Sequence, residues 1–186
     1  RAIVFLLFSI FFRVKVIGRE NVPSEGPALI CANHVSELDM FLIGYRIKRL
    51  VHWMAKEELF RNPVLRFIIR KLGAFPVRRG TGDIGAIKTA VKLLNEGHLV
   101  GIFPEGHRRR KKGVMKVHAG TGMIALKTGV PVIPVSIDGT CRIFSRIRVI
   151  FGEPFIPGTD DGSFTSDDYR RVSEQIMQKV YSQMED

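Results

Sequence analysis

The sequence predicts a single α/β domain. Three observations predict it. Short apolar runs alternate with stretches of helical periodicity along the whole chain. With 186 residues and 45% hydrophobic content, the chain can build a sizeable core. No repeat with a period of roughly 20–50 residues and no Pro/Gly/Ser-rich linker divides it.

The elements follow in order. Residues 2–12, AIVFLLFSIFF, carry no charge, and Arg13 and Lys15 come next. The run is too short to cross a bilayer, which takes ~20 apolar residues. It is also unusually aromatic for a solvated end. Residues 1–17 are therefore expected to form an apolar membrane-associating segment ahead of a domain spanning 18–186. The chain starts at Arg1 without a methionine, which leaves room for a longer apolar stretch upstream. A cleaved signal peptide is disfavoured, because no small-residue cleavage site follows the run.

ALICAN (28–33) reads as a buried strand, DMFLIGYRI (39–47) as a helix and LVHWMAK (50–56) as a second strand. NPVLRFIIRKLG (62–73) is helical, with Pro63 in its first turn and Gly73 at its end. AFPV (74–77) is a short strand. Ile84, Ile87, Val91 and Leu94 recur at helical spacing and stop at Gly97. HLVGIF (98–103) is a strand and TGMIALKTG (121–129) a helix ending at Gly129. VPVIPVSID (130–138) and RIRVIFGE (146–153) are strands. A last helix follows Thr165 and Asp168, with Tyr169, Val172, Ile176, Val180 and Met184 along one face.

The formal net charge of +11 favours an anionic partner: nucleic acid, a phosphorylated substrate or an anionic membrane surface. Cys31 and Cys141 are far apart in apolar surroundings, so they form neither a disulfide framework nor a metal-ligand pair. Buried structural thiols in a reducing compartment are expected.

Three stretches can carry chemistry. ANHVSELDM (32–40) holds His34 and Asp39 five positions apart. Five helical steps turn through roughly 140°, so the two meet only if His34 precedes the helix and Asp39 lies in its first turns. Ser36-Glu37-Leu38-Asp39 matches a capping box, which would bring Asp39 back toward His34. GAFPVRRG (73–80) is a strand ending in Arg78 and Arg79. GIFPEGHRRRKKG (101–113) is a strand running into Pro104-Glu105-Gly106 and a basic run from His107 to Lys112. A carboxylate beside arginines can orient a guanidinium for a bidentate phosphate contact. Ligands of α/β sheets collect at the carboxyl ends of strands, so a base and two cationic clusters would share one crevice. GTGDIG (80–85) fits a dinucleotide fingerprint, but the preceding strand is short and contains Pro76. A turn capped by Asp83 or Thr81 is the simpler reading.

These residues resemble a family. NHVSELD is similar to the N-H-x-x-x-x-D motif of the glycerolipid acyltransferases, in particular the 1-acylglycerol-3-phosphate acyltransferases. GAFPVRR resembles their second block, with Arg79 as the best match and Arg78 where the family often has aspartate. FPEGHR looks like F-P-E-G-x-R, and GVPVIPV (129–135) resembles the fourth, proline-containing block. Lys56 in AKEELF fits a lysine upstream of the second block. The blocks occur in family order over about residues 28–138. The chain departs after Gly106, where the usual Thr-Arg-Ser is His107-Arg108-Arg109, and in the length of the basic run.

The resemblance implies a mixed central sheet flanked by helices. It implies His34 as general base, steadied by Asp39, and a substrate hydroxyl as nucleophile. Arg79, Arg78, Glu105, Gly106, Arg108 and Lys56 would shape a phosphate site, supported by Asn33, Ser36 and Pro134. The acceptor would be a lysophospholipid, the donor acyl-CoA or acyl carrier protein, with no cofactor, metal or nucleic acid. The expected location is the cytoplasmic face of a membrane with anionic lipids. Other readings stay open: a lyso-ornithine lipid or another lysolipid as acceptor, a nucleic-acid module using residues 107–112, or a dinucleotide enzyme using residues 80–85.

Overall fold

Alternate side chains of ALICA enter two different cores. Ala28, Ile30 and Ala32 join one apolar cluster, and Leu29 and Cys31 join another. A strand buried on both faces belongs in the middle of a sheet covered on both sides. The computed structural model describes residues 12–44, 47–78, 82–107, 117–139, 145–158 and 164–184.

In chain order the elements are β1 (Arg13–Ile17), β2 (Ala28–Ala32), α1 (Asp39–Gly44), β3 (Val51–Lys56), α2 (Pro63–Lys71), β4 (Phe75–Val77), α3 (Ile84–Asn95), β5 (Leu99–Ile102), α4 (Gly120–Thr128), β6 (Val132–Gly139), β7 (Arg146–Phe151) and α5 (Ser166–Ser182). The sheet has seven strands in the order β1-β7-β6-β2-β5-β3-β4. All neighbours pair parallel except β6 and β7, so the sheet is mixed. Leu42 and Ile43 of α1 pack on one face; Ala90 and Leu94 of α3, Ile124 and Ala125 of α4, and Val172 and Ile176 of α5 pack on the other.

Local chemistry starts the helices where the sequence expects them. Asn62 accepts the N–H groups of Val64 and Leu65 ahead of Pro63. Thr165 and Asp168 form a reciprocal capping box at the start of α5. The expected helix over 39–47 is shorter: α1 ends at Gly44, and residues 45–46 lie outside the described residues.

The N-terminal boundary needs correcting. Residues 13–17, placed by the sequence reading in a membrane-associating segment, form the edge strand β1 and pair with β7 from Arg13↔Arg146 to Ile17↔Ile150. Val14 and Val16 pack against the core while Arg13, Lys15 and Ile17 face outward. This period-two pattern follows an uncharged run and is easily read as its charged flank. Residues 1–11 lie outside the described residues.

Register decides what meets at the carboxyl ends of the parallel strands. Cys31 stands opposite Ile102, and Lys56 opposite Val77. Asn33-His34, Phe103-Pro104-Glu105, Lys56 and Arg78 therefore follow strands that finish at one end of the sheet.

Candidate active site

The site begins where β2 leaves its neighbours. Asn33 Nδ2 donates to the Ile137 carbonyl at 2.9 Å, and Asn33 Oδ1 accepts the Ile137 N–H at 2.7 Å. The side-chain amide thus copies one rung of strand pairing to β6. It directs the chain as it turns away from the sheet, with His34 next.

Asp39 follows in the first turn of α1 and is wholly buried. Its Oδ2 accepts three donors: His34 Nδ1 at 2.8 Å, Val35 N–H at 2.7 Å and Ser36 N–H at 2.8 Å. A carboxylate only accepts, so Nδ1 carries the shared proton and Nε2 keeps a lone pair. Ser36 Oγ accepts the Leu38 N–H at 3.2 Å. The capping box is half realised: the Asp39 side chain bonds back to Ser36 N–H, but Ser36 caps one residue earlier than expected.

His34 is 7% exposed and stacks on Phe103, with ring centroids 4.1 Å apart and planes at 16°. Phe103 in turn stacks on Trp53 at 5.0 Å. Trp53 pairs with Gly101 across β3 and β5. A Cβ on Gly101 would stand 2.5 Å from the indole, so any larger residue at this strand position must displace the Trp53 ring. The imidazole is thereby held from one side by a hydrogen bond to Asp39 and from its face by an aromatic stack.

Glu105 is buried and links three elements. Its Oε2 accepts the His34 main-chain N–H at 3.4 Å, and its Oε1 accepts the hydroxyl of Tyr181, on α5. The sequence reading sets Glu105 beside arginines; its described partners are instead the Tyr181 hydroxyl and the main-chain N–H of His34. Gly106 has φ +66°, in the left-handed region, and donates its N–H to the Phe103 carbonyl at 2.9 Å. A Cβ there would meet the His118 ring at 2.6 Å. The turn from β5 is thus tight and bounded by His118.

Lys56 and Arg78 lie at neighbouring strand ends, and each faces a glutamate. Lys56 Nζ is 3.1 Å from Glu58, and Arg78 Nε is 3.3 Å from Glu57, all well exposed. Arg79 and Arg108, the other expected phosphate ligands, lie outside the described residues. Pro134 stands opposite Cys31 within β6, and its carbonyl accepts the Gly152 N–H at 2.8 Å. That bond ties β6 to the turn after β7, three residues before the Ile137 that clasps Asn33.

In GTGDIG, Asp83 is the N-cap of α3: Oδ1 accepts the Ala86 N–H, and Oδ2 accepts the Arg78 N–H at 2.9 Å. These two bonds hold its carboxyl below the usual aspartate range. Gly80 and Thr81 lie outside the described residues. Cys31 is fully buried, and burial pushes its thiol far above the usual range, so it offers no thiolate. Cys141 lies outside the described residues. Among the described residues no three His, Cys, Asp or Glu side chains converge as metal ligands.

Sequence reasoning missed Phe103, Trp53 and Tyr181. A glycine inside the strand LVGI is a signal for the first two, because mid-strand glycine marks a close approach. Tyr181 leaves no such trace, since it is one polar residue on an amphipathic helix.

The family model described as Acyltransferase matches residues 13–138. The chain belongs to the acyltransferase family. Over 147 residues this acyltransferase is 36% identical to the 1-acyl-sn-glycerol-3-phosphate acyltransferase of Bacillus subtilis, across 76% of this chain and 73% of that protein. It is 31% identical over 141 residues to the protein of the same name from Borreliella burgdorferi, spanning 56% of that protein's length. The crystal structure of the 1-acyl-sn-glycerophosphate (LPA) acyltransferase PlsC from Thermotoga maritima superposes with a TM-score of 0.74 at 27% identity, covering 99% of this chain and 78% of that one.

Proposed function

We propose that this acyltransferase moves a fatty acyl group from an acyl thioester to the 2-hydroxyl of 1-acylglycerol-3-phosphate, forming phosphatidic acid. The observation that carries the mechanism is the buried 2.8 Å contact between His34 Nδ1 and Asp39 Oδ2. The choice of acceptor is supported by the names of the Bacillus and Borreliella relatives and of the Thermotoga structure.

In this reading His34 Nε2 takes the proton of the acceptor hydroxyl as its oxygen attacks the thioester carbonyl. The tetrahedral intermediate collapses, the C–S bond breaks and the imidazolium returns the proton to the thiolate. Asp39 keeps Nδ1 as donor and stabilises the imidazolium, the role of the acid in a Ser-His-Asp triad. The substrate hydroxyl is the nucleophile. Ser36 is occupied in the turn and Cys31 is an inert buried thiol.

Arg79 and Arg108 bind the acceptor phosphate, with Lys56 and Arg78 adding positive charge from the β3 and β4 ends. The donor is acyl-CoA or acyl carrier protein. The enzyme works at the surface of a membrane bearing anionic lipid, on its cytoplasmic side, to which the uncharged apolar run ahead of Phe12 adds affinity. Among the described residues no helix is long and apolar enough to cross a membrane.

The test is purified protein with a panel of lysolipids and labelled acyl donors, with products read by mass. Phosphatidic acid from lysophosphatidate, lost in a folded His34→Ala variant, is the expected result. Preferred acylation of lyso-ornithine lipid, or full turnover by His34→Ala, overturns the reading.

A further inference from the structure

Among the described residues little beyond the short turn at Glu57–Phe60 packs against helix α2. Of its nine residues, Pro63 to Lys71, none is buried and only Ile69 is half-buried. Its side chains are nevertheless strongly apolar on one side. Val64, Leu65, Phe67 and Ile68, with the C-cap Leu72, fall within an arc of roughly 160° at about 100° per residue. Val64 is 68% exposed, Phe67 64% and Ile68 48%. An isolated helix this short is marginal in water, and globular proteins normally bury such a stripe.

The opposite side is basic. Arg66 and Arg70 occupy it, and Arg61 precedes the helix. From Arg61 to Leu72 there is no acidic residue. Lys71, in the last turn, falls within the apolar arc between Phe67 and Val64, with its Nζ 5.6 Å from the centre of the Phe67 ring. A lysine whose stem runs along an apolar face while its ammonium stays at the rim suits an interface between hydrocarbon and water. This is the composition of a helix that lies in the headgroup plane of anionic lipid.

Position supports the same occupant. α2 is the crossover between parallel β3 and β4, so its first turn lies at the end of the sheet that carries His34. It connects the last two strands at one edge of the sheet, with β1 on the other edge. The charge argues against a second copy of the same face, because two such helices would bring their cations together.

We infer that α2 is an in-plane docking helix. Its apolar face enters the outer part of an anionic leaflet, and Arg66, Arg70 and Lys71 meet the lipid phosphates. This deepens the proposed function, since it sets a lipid surface beside the crevice from which a lysolipid acceptor would come. The binding test needs no turnover, so the two readings can fail separately.

The experiment is co-sedimentation of the full chain with vesicles of equal parts phosphatidylglycerol and phosphatidylcholine, and with phosphatidylcholine alone. Phe67→Ser/Ile68→Ser should weaken binding to the mixed vesicles roughly tenfold or more. Arg66→Glu/Arg70→Glu should weaken it and remove the preference for phosphatidylglycerol. Ile156→Ser is the control, an exposed apolar change beside Phe155, which pairs with the start of β6 at the other end of the sheet. It should bind like the parent. The Phe67/Ile68 variant should keep its thermal midpoint and its turnover of a water-soluble short-chain lysophosphatidate, while losing turnover of vesicle-borne acceptor. Unchanged vesicle binding by that variant overturns the inference. A large fall in its thermal midpoint does so too, since it would mean that another part of the chain covers the face. Absent turnover on every acceptor, with α2-dependent binding intact, sinks the proposed reaction and leaves the docking helix standing.

Discussion

Asp39 and His34 meet through a single oxygen. Oδ2 of Asp39 holds the imidazole and the main-chain N–H groups of Val35 and Ser36, while Oδ1 is buried with no partner among the described residues. One atom therefore fixes both the turn and the imidazole. Asparagine can keep an amide oxygen at the Oδ2 position and put its nitrogen where no bond is lost. Asp39→Asn should cost little stability, ~1 kcal/mol. It should lower kcat on the order of 10²–10⁴, because the imidazolium loses its counter-charge. Chemical denaturation and steady-state kinetics on the same preparation measure both. Normal turnover would leave Asp39 with the turn alone.

The aromatic stack makes a second prediction. Gly101→Ala puts a methyl 2.5 Å from the Trp53 ring, and that ring supports Phe103, on which His34 lies. The indole must shift. A loss of ~1–3 kcal/mol is expected from overpacking, with a fall in kcat larger than any change in KM. Trp53 is the single tryptophan, so its fluorescence reports the displacement directly.

Tyr181 acts on the site through Glu105 and so is a positioning residue. Tyr181→Phe removes a donor from a buried carboxylate, at a cost of ~1–3 kcal/mol. It also loosens the contact of Glu105 with the His34 N–H. We expect kcat to fall several-fold with KM for the acyl donor nearly unchanged. Adding Glu105→Gln should recover part of the stability, because a neutral amide is less costly to leave unpaired than a carboxylate. A structural effect confined to helix packing would show no such recovery.

The arginines separate by partner. Arg78 faces Glu57 and is largely exposed, so Arg78→Ala should alter KM for a phosphorylated acceptor only slightly. Arg79→Ala and Arg108→Ala should raise that KM strongly and lower kcat as positioning is lost. Arg110 and Lys112, further along the basic run, should matter less. Equal effects at all of these positions would indicate a diffuse basic surface instead of a pocket.

Much of this molecule was legible in its sequence, and the readable part is local. Periodicity, caps and turns depend on residues a few positions apart, so Asn62-Pro63, Thr165 with Asp168, and Asp83 marked helix starts correctly. The turn that returns Asp39 to His34 spans five residues and was foreseen for the same reason. What stayed hidden depends on strand order and register. Asn33 grips Ile137 across 104 positions, and Tyr181 reaches Glu105 across 76. Neither residue type advertises its partner, because a hydrogen bond between distant segments leaves no spacing to read. The edge strand β1 was hidden by the apolar run before it, and it became a strand only because β7 offers it a parallel ladder. For α2 the sequence determined the helix and its amphipathic pattern. Only the tertiary structure decided that the apolar face would stay uncovered, since burial is set by what packs opposite, and there the described chain places nothing.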